Sequence, residues 1–145
     1  MRTLSEITLA VDAHTVARAM DWLETTGREA GWPDRTRFKL GLCLDETLTN
    51  ITMYGYAADT PHKPQPCVSL AVAQEGRKLV LELADNGKPF DPTSRQPRAL
   101  DASLDDAQIG GHGIRLLKHY LDDMQYDRRD GWNRLRLFAS LDDAA

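Results

Sequence analysis

Residues of one polarity recur every second position in five short stretches of this chain, the mark of half-buried β-strands. Ile7, Leu9 and Val11 alternate with Thr8 and Ala10. Val68, Leu70 and Val72 alternate with Ser69 and Ala71, and Leu79, Leu81 and Leu83 with Val80, Glu82 and Ala84. Met124, Tyr126 and Arg128 form a fourth set, and Leu135, Leu137 and Ala139 a fifth. Glu75-Gly76 joins the second and third stretches as a hairpin turn, and Asp130-Gly131 predicts a type I′ hairpin between the last two.

Helical spacing fills the remainder. Asp12 is placed to cap a helix carrying Val16, Ala17, Met20 and Leu23, with Gly31 as its stop. Pro33 and Asp34 suit the first turn of a second helix through Phe38, Leu42, Leu44, Leu48 and Ile51, ending near Gly55. A third helix opens at Gly110-Gly111-His112-Gly113 and turns Ile114, Leu117 and Leu121 inward. Pro61, Pro64 and Pro66 make a loop of 60–66, because proline continues neither a helix nor a central strand. From Asp91 to Gln108 no period emerges, and a stretch of that length in a compact domain reads as a lid or binding loop. The tail from Asp142 is expected to fray. Strand, helix, helix, hairpin, lid, helix, hairpin describes an α+β fold: a two-layer sandwich with a mixed, mostly antiparallel sheet covered on one face by helices. No repeat or boundary divides residues 1–145, so a single domain is expected.

Composition narrows the chemistry. The 145 residues are 41% hydrophobic and 28% charged, with a formal net charge of -4 and no Lys/Arg cluster, which argues against a nucleic-acid partner. No apolar run reaches the ~20 residues of a membrane span. Met1 to Glu6 lack the apolar core of a signal peptide, and Cys43 and Cys67 have no metal-type spacing. Both cysteines read as small buried hydrophobes in a reducing compartment, with the cytoplasm as the expected location.

Three motifs carry candidate chemistry. In the second helix Glu46 and Asn50 are four apart and share one face, either an ordinary polar edge or a functional pair. Asp85-Asn86-Gly87 follows the third strand directly. A carboxylate there can accept from an exocyclic amine such as the N6 amine of adenine, and Gly87 lets a flat ring approach the backbone; the plainer alternative is a turn. Gly110-Gly111-His112-Gly113 frees successive backbone N–H groups at a helix N-terminus, which suits phosphates or a hinge. His112 has no second His or Cys at ligand spacing, so no metal is assigned to it.

Taken together, a Glu-x-x-x-Asn helix, a strand ending in Asp-x-Gly, a lid and a Gly-Gly-x-Gly helix start give the N-box, G1-box and G2-box order. That order resembles the Bergerat-fold (GHKL) ATP-binding domains of gyrase, histidine kinases and mismatch-repair proteins. Within the superfamily the chain looks like the stand-alone anti-sigma-factor serine kinases of bacterial partner switching. The match rests on its short single domain and on Asp45-Glu46-Thr47-Leu48-Thr49-Asn50, Asp85-Asn86-Gly87-Lys88-Pro89-Phe90 and Gly110-Gly111-His112-Gly113-Ile114. The resemblance implies that Asn50 binds Mg²⁺ at the ATP phosphates and that Glu46 is the general base for a partner's serine. It implies that Asp85 and Gly87 meet adenine, and that Gly110, Gly111, His112 and Gly113 form the phosphate loop. Residues 91–108 would be the ATP lid. Two positions depart from the pattern. Pro89 replaces a second Gly, and the last hairpin reads Gly131-Trp132-Asn133-Arg134 where many members offer a Thr to the adenine site, so that contact is not assigned.

The function so implied is an ATP-dependent serine-protein kinase that is also an anti-sigma factor. It would phosphorylate an anti-anti-sigma (STAS-domain) partner and sequester a sigma factor, with a homodimer as its possible state. The alternative is an ATP-gated anti-sigma module without transfer activity, against which an intact Glu46 argues. A histidine-kinase catalytic domain is disfavoured by the lack of a phosphoacceptor helix ahead of the domain, and a gyrase-type ATPase by the lack of a transducer domain after it.

Overall fold

A computed structural model describes residues 1–56, 65–94 and 112–143. The elements run β1 (Arg2–Ala10), α1 (Thr15–Glu29), α2 (Asp34–Tyr54), β2 (Cys67–Glu75), β3 (Lys78–Asp85), α3 (His112–Tyr120), β4 (Asp123–Arg129) and β5 (Trp132–Ser140). The sheet has the order β1-β2-β3-β5-β4, and each of its pairings is antiparallel. Asp130 and Gly131 both have positive φ, 55° and 83°, as the type I′ turn requires. Among the described residues no helix is long and apolar enough to cross a membrane.

Alternation decides which face of the sheet is buried. Val68, Leu70 and Val72 of β2, Leu79, Leu81 and Leu83 of β3, and Leu135 and Leu137 of β5 point the same way and join Leu23, Leu40, Leu44 and Leu48 of the helices in one core. The helices cover that face only, as the sequence predicts.

The helices differ from expectation in their rotation. Phe38 is 63% exposed and Leu42 is half-buried, while Leu40, Cys43, Leu44, Thr47, Leu48 and Ile51 form the inner face of α2. Lys39 is buried as well: its Nζ donates to the Ser140 carbonyl at 2.6 Å and pairs with Asp142 at 2.9 Å. Thr36 and Asp142 exchange two further bonds, Oγ1 to Oδ2 at 2.9 Å and backbone N to Oγ1 at 2.8 Å. Asp142 is therefore held against α2, contrary to the expected fraying, because a buried ammonium needs a partner. In α1 it is Ala19, not Ala17, that is buried. Asp12 accepts from His14 N at 2.7 Å in the turn ahead of α1 and does not cap it; His14 occupies the N-cap position. Val11 lies just beyond β1.

Trp32, 2% exposed, docks over Gly27, where an added Cβ would come within 2.7 Å of its ring, and its indole N–H donates to Gln74 Oε1 at 3.0 Å. Cys43 is buried with its thiol pushed up to about 12 by that burial, so it is an inert core residue. Cys67 is only half-buried, unlike the buried hydrophobe expected, and burial raises its thiol as well.

Candidate nucleotide site

The C-terminal half of α2, the end of β3 and the β4–β5 hairpin converge on one small cavity. Thr47, Asn50 and Ile51 line it from the helix, Asp85 from β3, and Tyr126, Asn133 and Leu135 from the hairpin. Phe90 and Pro92 close it from the segment after β3. Two of the three motifs therefore meet: Asn50 and Asp85 face a common space. Glu46 lies one turn earlier on α2, half-buried and outside that lining, and neither the Glu46 nor the Asn50 side chain has a hydrogen-bond partner among the described residues.

Asp85 is 3% exposed and sits directly opposite Asn133 across the β3–β5 pair. Its Oδ1 accepts from Gly87 N at 3.0 Å and from Asn133 Nδ2 at 3.0 Å. Its Oδ2 has no hydrogen-bond partner among the described residues. Burial pushes this carboxyl above its ordinary value, opposed by the bonds from Asn133 and Gly87 and by the Arg128 charge. A desolvated carboxylate with one oxygen satisfied and one open is an acceptor awaiting a donor. Asn50 is the complementary feature, a carboxamide open to the cavity.

Gly87 owes its place to the protein backbone. A Cβ there would stand 2.6 Å from the Gly55 carbonyl oxygen and 3.0 Å from Asp85 Oδ1. Lys88 N donates to that same Gly55 carbonyl at 2.9 Å, so the turn after β3 is stitched to the end of α2. Gly87 thus makes room for the helix end, whose last turns carry Asn50 to the cavity that Asp85 lines. Asn86 strengthens this joint. It accepts from Tyr56 Oη at 2.6 Å and Cys67 N at 3.0 Å, and donates to Gln65 O at 2.9 Å.

The third motif is placed in part. Gly110, Gly111 and most of the expected lid at 91–108 lie outside the described residues, as does the His112 side chain. α3 starts at His112, so the helix N-terminus falls within Gly110-Gly111-His112-Gly113 as predicted. Among the described residues no group of three or more His, Cys, Asp or Glu could hold a metal. A lone carboxamide fits an Mg²⁺ ion that keeps most of its ligands as phosphate oxygens and water.

Asn133, Tyr126 and Arg128 carry no site role in the sequence pattern, yet Asn133 and Tyr126 wall this cavity beside Asp85 and Arg128 bonds Asn133. Asn133 carried a legible signal, since period 2 from Leu135 and Leu137 places it on the buried face, where an amide needs partners. Thr47 also reaches the cavity, but its hydroxyl is already committed to the Cys43 carbonyl at 2.7 Å.

Residues 9–138 match the histidine kinase-like ATPase domain family. The serine/threonine-protein kinase BtrW of Bordetella bronchiseptica is 44% identical over 129 residues, covering 89% of this chain and 88% of that protein. The crystal structure of the RsbU and RsbW domains of Rv1364c from Mycobacterium tuberculosis superposes with a TM-score of 0.62 at 14% identity, over 97% of this chain and 34% of that one. The blue-light activated histidine kinase of Erythrobacter litoralis superposes at 0.55 and 19% identity, over 76% of this chain and 32% of that one. The chain thus spans about a third of each of these two solved proteins, and at such identities the superpositions establish the fold.

Proposed function

The chain belongs to the histidine kinase-like ATPase domain family, and on that premise we propose that it is an ATP-dependent serine-protein kinase and anti-sigma factor. In this reading it phosphorylates a STAS-domain anti-anti-sigma partner and sequesters a sigma factor. The observation that carries the nucleotide part is the buried Asp85 carboxylate, which lines a cavity that Asn50 shares and has one oxygen without a hydrogen-bond partner among the described residues. The kinase part is supported by the likeness to BtrW along nearly the whole of both chains.

The residues divide the work. Asp85 accepts from the adenine amine. Asn50 would hold Mg²⁺, whose charge would offset that of the phosphates. Backbone N–H groups of Gly110, Gly111, His112 and Gly113 receive the phosphate oxygens at the start of α3, where the helix dipole favours negative charge. Residues 91–108 close over the nucleotide. Glu46 takes the proton of the partner's serine hydroxyl as its oxygen bonds to the γ-phosphorus; the bond from that phosphorus to the β–γ bridging oxygen breaks and ADP leaves.

The test is affinity capture from the native cell followed by transfer of labelled γ-phosphate. A small STAS-domain protein and a sigma factor are expected among the captured partners, with label appearing on a serine of the STAS protein. Capture of both with ATP bound and no label on either would establish instead the ATP-gated anti-sigma module.

The same reading carries a homodimer of this 16.3 kDa chain. Light scattering at micromolar concentration is expected to return twice that mass. A mass equal to one chain ends the idea.

A further inference from the structure

Asn133 lies in the hairpin where the resemblance expects a threonine facing adenine, and it is bonded in a way no threonine can match. Its Nδ2 donates to Asp85 Oδ1 at 3.0 Å and to the Lys88 carbonyl at 2.9 Å. Its Oδ1 accepts from Arg128 at 3.0 Å and from the Tyr126 hydroxyl. The two donors and two acceptor sites of a carboxamide are then all in use. The orientation of the amide is fixed chemically, because a guanidinium only donates and a carbonyl only accepts. Arg128 also donates to the Gly87 carbonyl at 2.9 Å, so the clamp grips the turn after β3 at two successive residues.

We propose that Asn133, held by Arg128 and Tyr126, is the positioning residue that makes the site select adenine over guanine by locking the Asp85 carboxylate with one chosen oxygen facing the cavity. This rests on the reading of the cavity as a nucleotide site and goes beyond it, since Asn133 itself has no capacity left for a ligand.

The physical basis is a torsion. The Asp χ2 well is broad, so one hydrogen bond alone leaves the carboxylate plane free to turn. Gly87 N and Asn133 Nδ2 converge on Oδ1 from two sides and remove that freedom. The open Oδ2 then meets the N6 amine of adenine as an acceptor meets a donor. Guanine presents its O6 at that place, and two acceptors with no hydrogen between them repel. Discrimination fades if the carboxylate can rotate away from the guanine oxygen. Other groups bearing on Asp85 leave this logic intact. The Arg128 charge lies on the clamp side, and Tyr56 and Cys67, protonated at neutral pH, sit at the base of β2.

Calorimetry with Mg-ATP and Mg-GTP on the whole chain tests this. Wild type is expected to prefer ATP strongly. Asn133→Leu, similar in size but unable to donate, should weaken ATP by about tenfold to a hundredfold, the worth of a bond to a charged group, with GTP little changed. Arg128 is exposed, so Arg128→Met should keep the melting temperature while the amide loses one of the donors that orient it. Its ATP-to-GTP preference should fall by about threefold to tenfold. If Asn133→Leu does not fold, Arg128→Met decides alone. A purely structural Asn133 would move stability and leave the preference where it was. An unchanged preference in the folded variants overturns the proposal while the nucleotide site stands. Wild type binding neither nucleotide overturns both.

Discussion

Asp85→Asn is expected to abolish the thermal shift that Mg-ATP should give the wild-type protein. Ligand at ~100 times its dissociation constant adds roughly 2.7 kcal/mol of stability, or about 5–10 °C for a chain of this size. The variant loses this because of how Asp85 is held. Gly87 N and Asn133 Nδ2 both donate to Oδ1, so an asparagine at 85 must put its carbonyl oxygen there to satisfy them. Its amide nitrogen then replaces Oδ2 and turns N–H donors toward the adenine amine, and two donors face each other. Guanine O6 would meet a donor instead, so Mg-GTP should shift the variant at least as much as it shifts wild type.

The ligand-free control has a definite sign. Burial raises the folded-state value of this carboxyl above its unfolded one despite the bonds from Asn133 and Gly87. What it contributes to stability is complete below its unfolded-state pKa and is lost as pH rises through the folded-state value. At neutral pH wild type therefore carries a cost that the neutral amide lacks. Unliganded Asp85→Asn should melt at or above wild type there, with the gap closing as pH falls into the acid range. Scanning fluorimetry across pH, with each nucleotide and without, reads all of this. An ATP shift of wild-type size in the variant refutes the assignment of Asp85.

The strands were legible because their code is binary. With period 2, Val68, Leu70 and Val72 can only be on one face and Ser69 and Ala71 on the other, and Asp130-Gly131 names its own turn type. α2 was legible as a helix but not in rotation. Phe38, Leu40, Leu42, Leu44, Ile51 and Met53 offer apolar residues on nearly every side, so periodicity alone leaves the inward face undecided. The choice was made by tertiary bonds: Lys39 to Ser140 and Asp142, and Thr36 to Asp142, turn Leu40 in and leave Phe38 out. Of the site, Asp85 and Asn50 were readable as separate motifs. Their meeting depends on Gly87 packed against the Gly55 carbonyl, residues 32 apart in the chain, which no local pattern encodes. Asn133 was visible as a polar residue on a buried face; its partners Arg128 and Tyr126 become apparent only with the β4–β5 register.

Glu46→Gln is expected to separate nucleotide binding from phosphate transfer. Glu46 is one turn before Asn50 on α2, half-buried, its side chain without a hydrogen-bond partner among the described residues and outside the lining of the cavity that holds Asp85. A carboxylate so placed contributes little to holding the adenine end, and the metal is assigned to Asn50. Loss of its charge should leave Mg-ATP affinity within about tenfold, or roughly 1.4 kcal/mol. The glutamine keeps the shape, so the fold and the surface offered to a sigma factor are expected to survive. Chemistry should not, since a positioned base typically supplies about 10²–10⁴-fold in rate and an amide cannot take the serine proton. Asn50→Ala is the contrasting variant. It removes the open carboxamide beside Asp85, so metal-dependent nucleotide binding and transfer should fall together. Labelled transfer to the STAS partner and calorimetry on both variants give the comparison. Transfer at the wild-type rate by Glu46→Gln takes the base away from this residue. Loss of ATP affinity far beyond tenfold would instead make Glu46 part of the metal and phosphate site, and the division of labour along α2 would have to be redrawn.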